Sequence, residues 1–259
     1  MTVTGRLTAS ILGVALFSGG CGVGEDPVEN GSSSRIEAFT FPTGDTTARG
    51  EIFLPASHET DRNLSTIYLI DFTEQHFKLA TDEFEKVIDG VGKVEGFEAL
   101  VVTLEGIPDI DAEPQSFQEH YDIFRDMASY VDDKYTSNTS RTFIGKGSES
   151  GLVLMALFAE DSETSMFDNF IVTDPSGAYG SAVIAMIESG DFPKDKRNKK
   201  LHFSFSSSND HDMCTRIIRL IDEAEYPWLE FESVAYLDSD YENTYPVSFA
   251  AGIEYVYRK

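Results

Sequence analysis

Short apolar runs alternate with amphipathic helical stretches along most of this chain, and this alternation limits the fold more than any other feature. Residues 66–70 and 99–104 are almost continuously apolar, which is typical of parallel strands buried on both faces. Between such runs, residues 117–134 repeat apolar side chains with the 3.6-residue period of a helix. The pattern predicts a single α/β domain with a doubly wound, mostly parallel sheet flanked by helices.

The predicted elements cover the chain from residue 50 onward. The predicted strands are 50–54, 66–70, 99–104, 142–144, 170–173, 201–206 and 231–236. The predicted helices are 78–89, 117–134, 150–160, 181–188, 213–223 and 247–257. The basic run KDKRNKK at 194–200 is predicted to be a solvated turn before a strand.

The first 20 residues have the pattern of a secretory leader. They carry the single cation Arg6, an apolar run at 11–17 and small residues at 18–20, directly before Cys21. The run is shorter than the roughly 20 apolar residues that a membrane span needs. Small residues followed by a cysteine resemble the lipobox of bacterial lipoproteins, which implies lipidation of Cys21 and an exported protein anchored to a membrane of the cell envelope. The alternative is an ordinary cleaved signal peptide with a chance cysteine.

Residues 21–34 are small, polar and acidic, which predicts a flexible tether, and the folded domain is predicted to span 35–259. The chain has two cysteines, Cys21 and Cys214. If Cys21 carries lipid, Cys214 has no partner, so no disulfide is predicted.

Charge excludes one class of partner. The chain has 20 Lys and Arg against 45 Asp and Glu, a formal net charge of −25. Affinity for nucleic acid depends largely on cations that neutralise phosphates, so no nucleic-acid partner is predicted.

A small-residue turn follows the predicted strand 142–144. In a doubly wound sheet, chemistry lies at the carboxyl ends of the strands. The sequence GKGSESG at 145–151 then leads into an apolar helix. A nucleophile elbow requires such a strand–turn–helix with a central serine, which makes Ser148 a candidate nucleophile. The alternative is that Ser148 or Ser150 is the N-cap of the helix.

The segments ARGEIFLPAS, STIYLIDF, RTFIGKGSESGLVLMALF and FDNFIVTDPS, with others in the same order, resemble the enterochelin-esterase-like branch of the α/β-hydrolases. The resemblance covers about residues 48–257. It implies hydrolysis of a small carboxylic ester with Ser148 as the nucleophile. Lys146 and Ser150 stand where that family has glycine.

The resemblance also implies the other catalytic positions. The acid would be Asp210 or Asp212, and Tyr241 stands where the family has its general-base histidine. A phenol with an ordinary pKa of about 10 cannot accept a serine proton at neutral pH. His76 and His211 are therefore the candidate bases.

The oxyanion hole would be formed by the amide of Glu149 and that of Phe72 or Thr73. No cofactor and no metal is predicted. Two hypotheses remain open: an esterase with a degenerate triad, and a catalytically inactive relative that binds or scaffolds at the cell envelope.

Overall fold

A hairpin of two antiparallel strands opens the described part of the chain. The computed structural model describes residues 33–70, 82–104 and 113–258. In it β1 (Arg35–Thr43) pairs with β2 (Thr46–Leu54) around a turn at Gly44, whose φ is +52°. Phe39 and Phe41 are buried while their neighbours are exposed, the two-residue period of a half-buried strand. β1 was not among the predicted strands, although this alternation is present in its sequence.

Six further strands complete one sheet: β3 (Ser65–Ile70), β4 (Ala99–Leu104), β5 (Arg141–Lys146), β6 (Asn169–Thr173), β7 (Lys199–Ser206) and β8 (Leu229–Tyr236). Their order is β1-β2-β4-β3-β5-β6-β7-β8. The β1–β2 and β2–β4 pairs are antiparallel, and all the other pairs are parallel. The predicted mostly parallel sheet is confirmed.

Six helices cover the two faces of the sheet: α1 (Asp82–Lys93), α2 (Phe117–Lys134), α3 (Gly147–Ala159), α4 (Gly177–Ser189), α5 (His211–Ala224) and α6 (Tyr241–Tyr257). Helices α1 and α6 pack together against one apolar cluster of the sheet, and α2 to α5 enclose the larger cluster on the other face. This arrangement confirms the predicted doubly wound single domain. Within the described ranges no helix has the length and apolar character that a membrane crossing requires.

Four helices, α3 to α6, begin earlier than predicted. Helix α6 starts at Tyr241, where the Asp240 side chain accepts a hydrogen bond from the Asn243 amide at 3.0 Å, and it contains Pro246. The predicted start, residue 247, lies just after this proline, a residue that is disfavoured inside a helix. Helix α3 starts at Gly147, three residues before the predicted position.

The basic run 194–200 is only in part the solvated turn before a strand that was predicted. Lys194 and Arg197 are exposed and precede β7, whereas Lys199 is buried. Lys199 is 2% exposed and forms an ion pair with Glu160, which is equally buried. Lys196 donates to the carbonyl of Phe158 at 2.8 Å, near the carboxyl end of α3. Burial, helped by the charge of Lys199, lowers the pKa of Lys196 to about 8. Two of the run's cations therefore hold helix α3 against the sheet.

Candidate functional site

The candidate site lies at the carboxyl edge of the sheet, where β5 ends and α3 begins. Because β5 and β6 are parallel neighbours, the loops that follow them meet at this edge. The amide of Ser176, after β6, donates to the carbonyl of Gly147 at 3.2 Å. The turn after β5 is thus joined directly to the next loop.

Gly147 carries the special backbone conformation of this turn. Its φ is +60°, in the left-handed region that favours glycine, and Ser148 follows it as the second residue of α3. In a nucleophile elbow the serine itself sits on the strained strand-to-helix turn, which projects its hydroxyl from the sheet. Here the strained residue has no side chain, and Ser148 lies one position further along the helix.

The Tyr241 hydroxyl occupies the space in front of Gly147. A Cβ atom built on Gly147 would lie 2.7 Å from Tyr241 Oη, closer than real Cβ contacts. Burial raises the pKa of Tyr241, and the negative charges of Glu149 and Asp174 raise it further. The phenol is therefore neutral at physiological pH and fills the position where a nucleophile's side chain would begin.

Ser148 has a carboxylate as its hydrogen-bond partner. Its Oγ donates to Glu149 Oε2 at 3.0 Å. Ser150 Oγ is buried and donates to the Gly147 carbonyl at 2.8 Å, so it stabilises the first turn of α3 from within. A Ser148 hydroxyl bonded to Glu149 can pass its proton only to a carboxylate, a weaker base than imidazole.

Lys146, in the position where the resemblance implies glycine, is engaged in a nearly buried ion pair with Glu83 of α1. Burial alone would raise the pKa of Glu83, but the hydrogen bond and charge of Lys146 outweigh this effect and lower it. The Lys146 ammonium also lies 4.2 Å from the ring centroid of Tyr245, whose hydroxyl accepts a hydrogen bond from Lys86. The charge of Lys146 is therefore already compensated by Glu83 inside the protein.

The structure places the predicted acids and His211 at the start of α5. Asp210 is exposed and caps α5, accepting a hydrogen bond from the Met213 amide at 2.9 Å. Asp212 and His211 are also exposed, and the His211 ring packs edge-on against Phe205, with ring centroids 5.3 Å apart. No hydrogen bond joins any of the three to Ser148 in the described part of the chain.

Three other histidines are engaged elsewhere. His58 Nε2 lies 2.8 Å from the carbonyl of Tyr135, His120 Nδ1 lies 3.3 Å from Tyr179 Oη, and His202 Nδ1 lies 3.0 Å from Glu232 Oε2. Burial lowers the pKa of His202 despite its Glu232 partner. Phe72, Thr73, His76 and Cys21 lie outside the described residues, so the assignments made for them stay predictions.

Asp174 was not among the predicted site residues. This residue directly follows β6, is 1% exposed and has a φ of +53°. Its position at the end of a buried strand, beside the strand that ends at the elbow, was the available signal. Within residues 33–70, 82–104 and 113–258, no three His, Cys, Asp or Glu side chains are grouped so that they could hold a metal.

The strand order, the antiparallel β2, the turn after β5 and the helices on both faces define an α/β-hydrolase-like fold. Solved structures share it. An IroE-like serine hydrolase from Shewanella oneidensis is 13% identical, with 86% of this chain and 80% of that chain covered, at a TM-score of 0.70. The siderophore hydrolase EstB from Aspergillus nidulans is 15% identical, with 85% and 93% covered, at a TM-score of 0.63. An esterase from Pyrococcus furiosus is 11% identical, with 85% and 90% covered, at a TM-score of 0.56.

At these identities the likeness establishes the fold alone. No protein-family model and no curated protein matches the chain. The function must therefore be argued from the site.

Proposed function

We propose that this chain is a non-hydrolytic member of the α/β-hydrolase fold, which uses the former catalytic edge of the sheet to bind a small molecule. The observation that carries the proposal is the contact between Gly147 and Tyr241. The left-handed residue of the elbow lacks a nucleophile, and a neutral phenol lies against it. A serine hydrolase needs the opposite arrangement, with a nucleophile at the strained position and a base within hydrogen-bonding reach of it.

The charges around Gly147 support the same conclusion. Ester hydrolysis through a tetrahedral intermediate needs donors aimed at a developing oxyanion. Here the carboxylates of Glu149 and Asp174 are close enough to raise the pKa of Tyr241, and Lys146 is paired with Glu83. Negative charge at this position disfavours an oxyanion.

A second candidate is an esterase that uses Ser148, and the 3.0 Å hydrogen bond from Ser148 to Glu149 favours it. In that reaction Ser148 Oγ attacks the acyl carbonyl carbon and its proton passes to the Glu149 carboxylate. The alcohol leaves with that proton, and water then releases the acid and restores the serine. His76 or His211 would be the alternative base, with Asp210 or Asp212 to orient it.

One experiment separates the two functions. The purified full chain is treated with a fluorophosphonate probe and assayed with p-nitrophenyl butyrate, beside a Ser148→Ala variant. We expect no labelling, and the same background hydrolysis in both proteins. Labelling that disappears in Ser148→Ala would establish the esterase, and labelling that persists in the variant would show a different nucleophile; either result overturns the non-hydrolytic proposal.

We also propose that the protein is exported and anchored through lipid on Cys21, which would place this site at the cell envelope. The small residues before Cys21 support this proposal. In the expressing bacterium, we expect the wild-type chain to incorporate radiolabelled palmitate and to partition into the detergent phase, and a Cys21→Ala variant to do neither. A Cys21→Ala protein that partitions like the wild type would contradict lipid anchoring.

A further inference from the structure

Asp174 is a buried carboxylate, and among the described residues hydrogen-bond donors contact only one of its two oxygens. Its Oδ1 accepts hydrogen bonds from the Ser206 amide at 2.7 Å and from the Ser206 hydroxyl at 3.0 Å. Its Oδ2 is buried and has no hydrogen-bond partner, and no cation forms an ion pair with the carboxylate among the described residues. A buried charge in this state is destabilising unless something else compensates it.

The backbone of Asp174 makes this arrangement more costly. A φ of +53° is uncommon outside glycine, although Asn and Asp adopt it more readily than other residues. Strained residues that persist in folded proteins cluster at sites where the strain serves binding or catalysis. Asp174 caps no helix, in contrast to Asp210 and Asp240, so the helices do not account for its carboxylate.

Asp174 belongs to the site around Gly147. Burial raises the pKa of the Tyr241 phenol at the start of α6, and the charges of Glu149 in α3 and of Asp174 add to this rise. On the α5 side Asp174 faces His211 and Cys214. Burial raises the pKa of both Asp174 and Cys214; the charge of His211 opposes the rise at Asp174, and the charge of Asp174 adds to the rise at Cys214. The one lysine at the end of β5, Lys146, is already paired with Glu83.

We propose that this site takes a small molecule that carries a primary ammonium group, and that Asp174 Oδ2 accepts a hydrogen bond from that group. The ligand supplies the hydrogen-bond donor and the ion-pair partner that the described chain does not give to Oδ2. The buried position makes this pairing stronger than it would be on the surface. The inference rests on the proposed function, because it treats the edge as a binding site.

The test compares Asp174→Asn with the wild-type full chain. Asparagine has nearly the same shape, adopts a left-handed φ and keeps an acceptor for Ser206. Thermal unfolding is followed at pH 7.5 alone and with benzylamine, benzyl alcohol or benzoate. Asp212→Asn, an exposed neighbour, controls for the loss of one negative charge.

Without a ligand, we expect Asp174→Asn to raise the Tm by about 2–4 °C, because it removes an uncompensated buried charge. Benzylamine should raise the Tm of the wild type and of Asp212→Asn but not that of Asp174→Asn, and the other two probes should raise none. Burial raises the pKa of Asp174 in the folded state and outweighs the opposing effects of its hydrogen bonds with Ser206, of the Asn209 side chain and of the charge of His211. The folded state therefore holds this proton more tightly, so the penalty disappears as the pH falls toward 4 and the two Tm values should converge.

Three results would overturn the inference. The first is a lower Tm for Asp174→Asn than for the wild type, which would show a purely structural role. The second is an equal benzylamine shift of the Tm in Asp174→Asn and the wild type, and the third is a Tm shift produced by CaCl₂ but not by benzylamine. Failure of the proposed function would be recognised by a different experimental result. Fluorophosphonate labelling of Ser148 with an intact Asp174-dependent benzylamine shift would overturn only the non-hydrolytic proposal.

Discussion

A Lys199→Met variant is expected to lose about 3–5 kcal/mol of its free energy of unfolding, the cost of removing one partner from a buried ion pair. Lys199 donates to Glu160 and, at 2.8 Å, to Ser165 Oγ. Without the ammonium, the Glu160 charge stays buried, and its donors among the described residues are the Tyr121 hydroxyl and two backbone amides. Urea unfolding monitored by circular dichroism measures the loss.

Lys200→Met is the matched control. Lys200 is the next residue of β7, but its side chain is 28% exposed and lies 3.7 Å from the still more exposed Glu230. Surface pairs of this kind contribute about 0–1 kcal/mol. Equal losses of unfolding free energy in Lys199→Met and Lys200→Met would contradict the assignment of Lys199 to a buried pair. A Glu160→Gln/Lys199→Met double variant should regain part of the lost stability because neither charge remains.

A Gly147→Ala variant is expected to lose more stability than any substitution that only strains the backbone. The left-handed conformation costs a residue with a side chain about 1–2 kcal/mol. The new Cβ would also lie 2.7 Å from Tyr241 Oη, so the phenol or the turn must move. The loss is measured by urea unfolding.

Gly177→Ala separates the two effects. Gly177 has a φ of +70° but nothing within 4 Å of its added Cβ, so it should show the backbone cost alone. In a Tyr241→Phe background, which removes the hydroxyl and keeps the ring, Gly147→Ala should cost no more than Gly177→Ala. A full loss in that background would show that the Tyr241 hydroxyl does not occupy the space in front of Gly147.

Much of the fold could be predicted from the sequence because apolar periodicity is a local property. Strands such as 99–104 and helices such as 117–134 were predicted with the observed bounds. The first strand was missed because its alternation is spread over the mixed polar sequence RIEAFTFPT. The burial of Lys199 at the end of the basic run was not predicted because its partner, Glu160, lies 39 residues away in the chain.

The candidate site was predictable in position but not in geometry. The turn after β5 could be located from its small residues. The left-handed φ at Gly147, one residue before Ser148, and the reach of Tyr241 from another helix arise only from tertiary packing. Asp174 was passed over because Asp-Pro after a strand also reads as an ordinary turn.

The contact between Gly147 and Tyr241 also restricts the order in which mutations could place a serine at the left-handed residue of the elbow. The side chain of a serine at position 147 would clash with the Tyr241 hydroxyl, so that change alone would destabilise the chain. A histidine at position 241 would clear the space first, but position 147 would still carry no hydroxyl. A stepwise route to a serine at the left-handed position therefore has to pass through an intermediate that loses the Tyr241 contact before that serine is present.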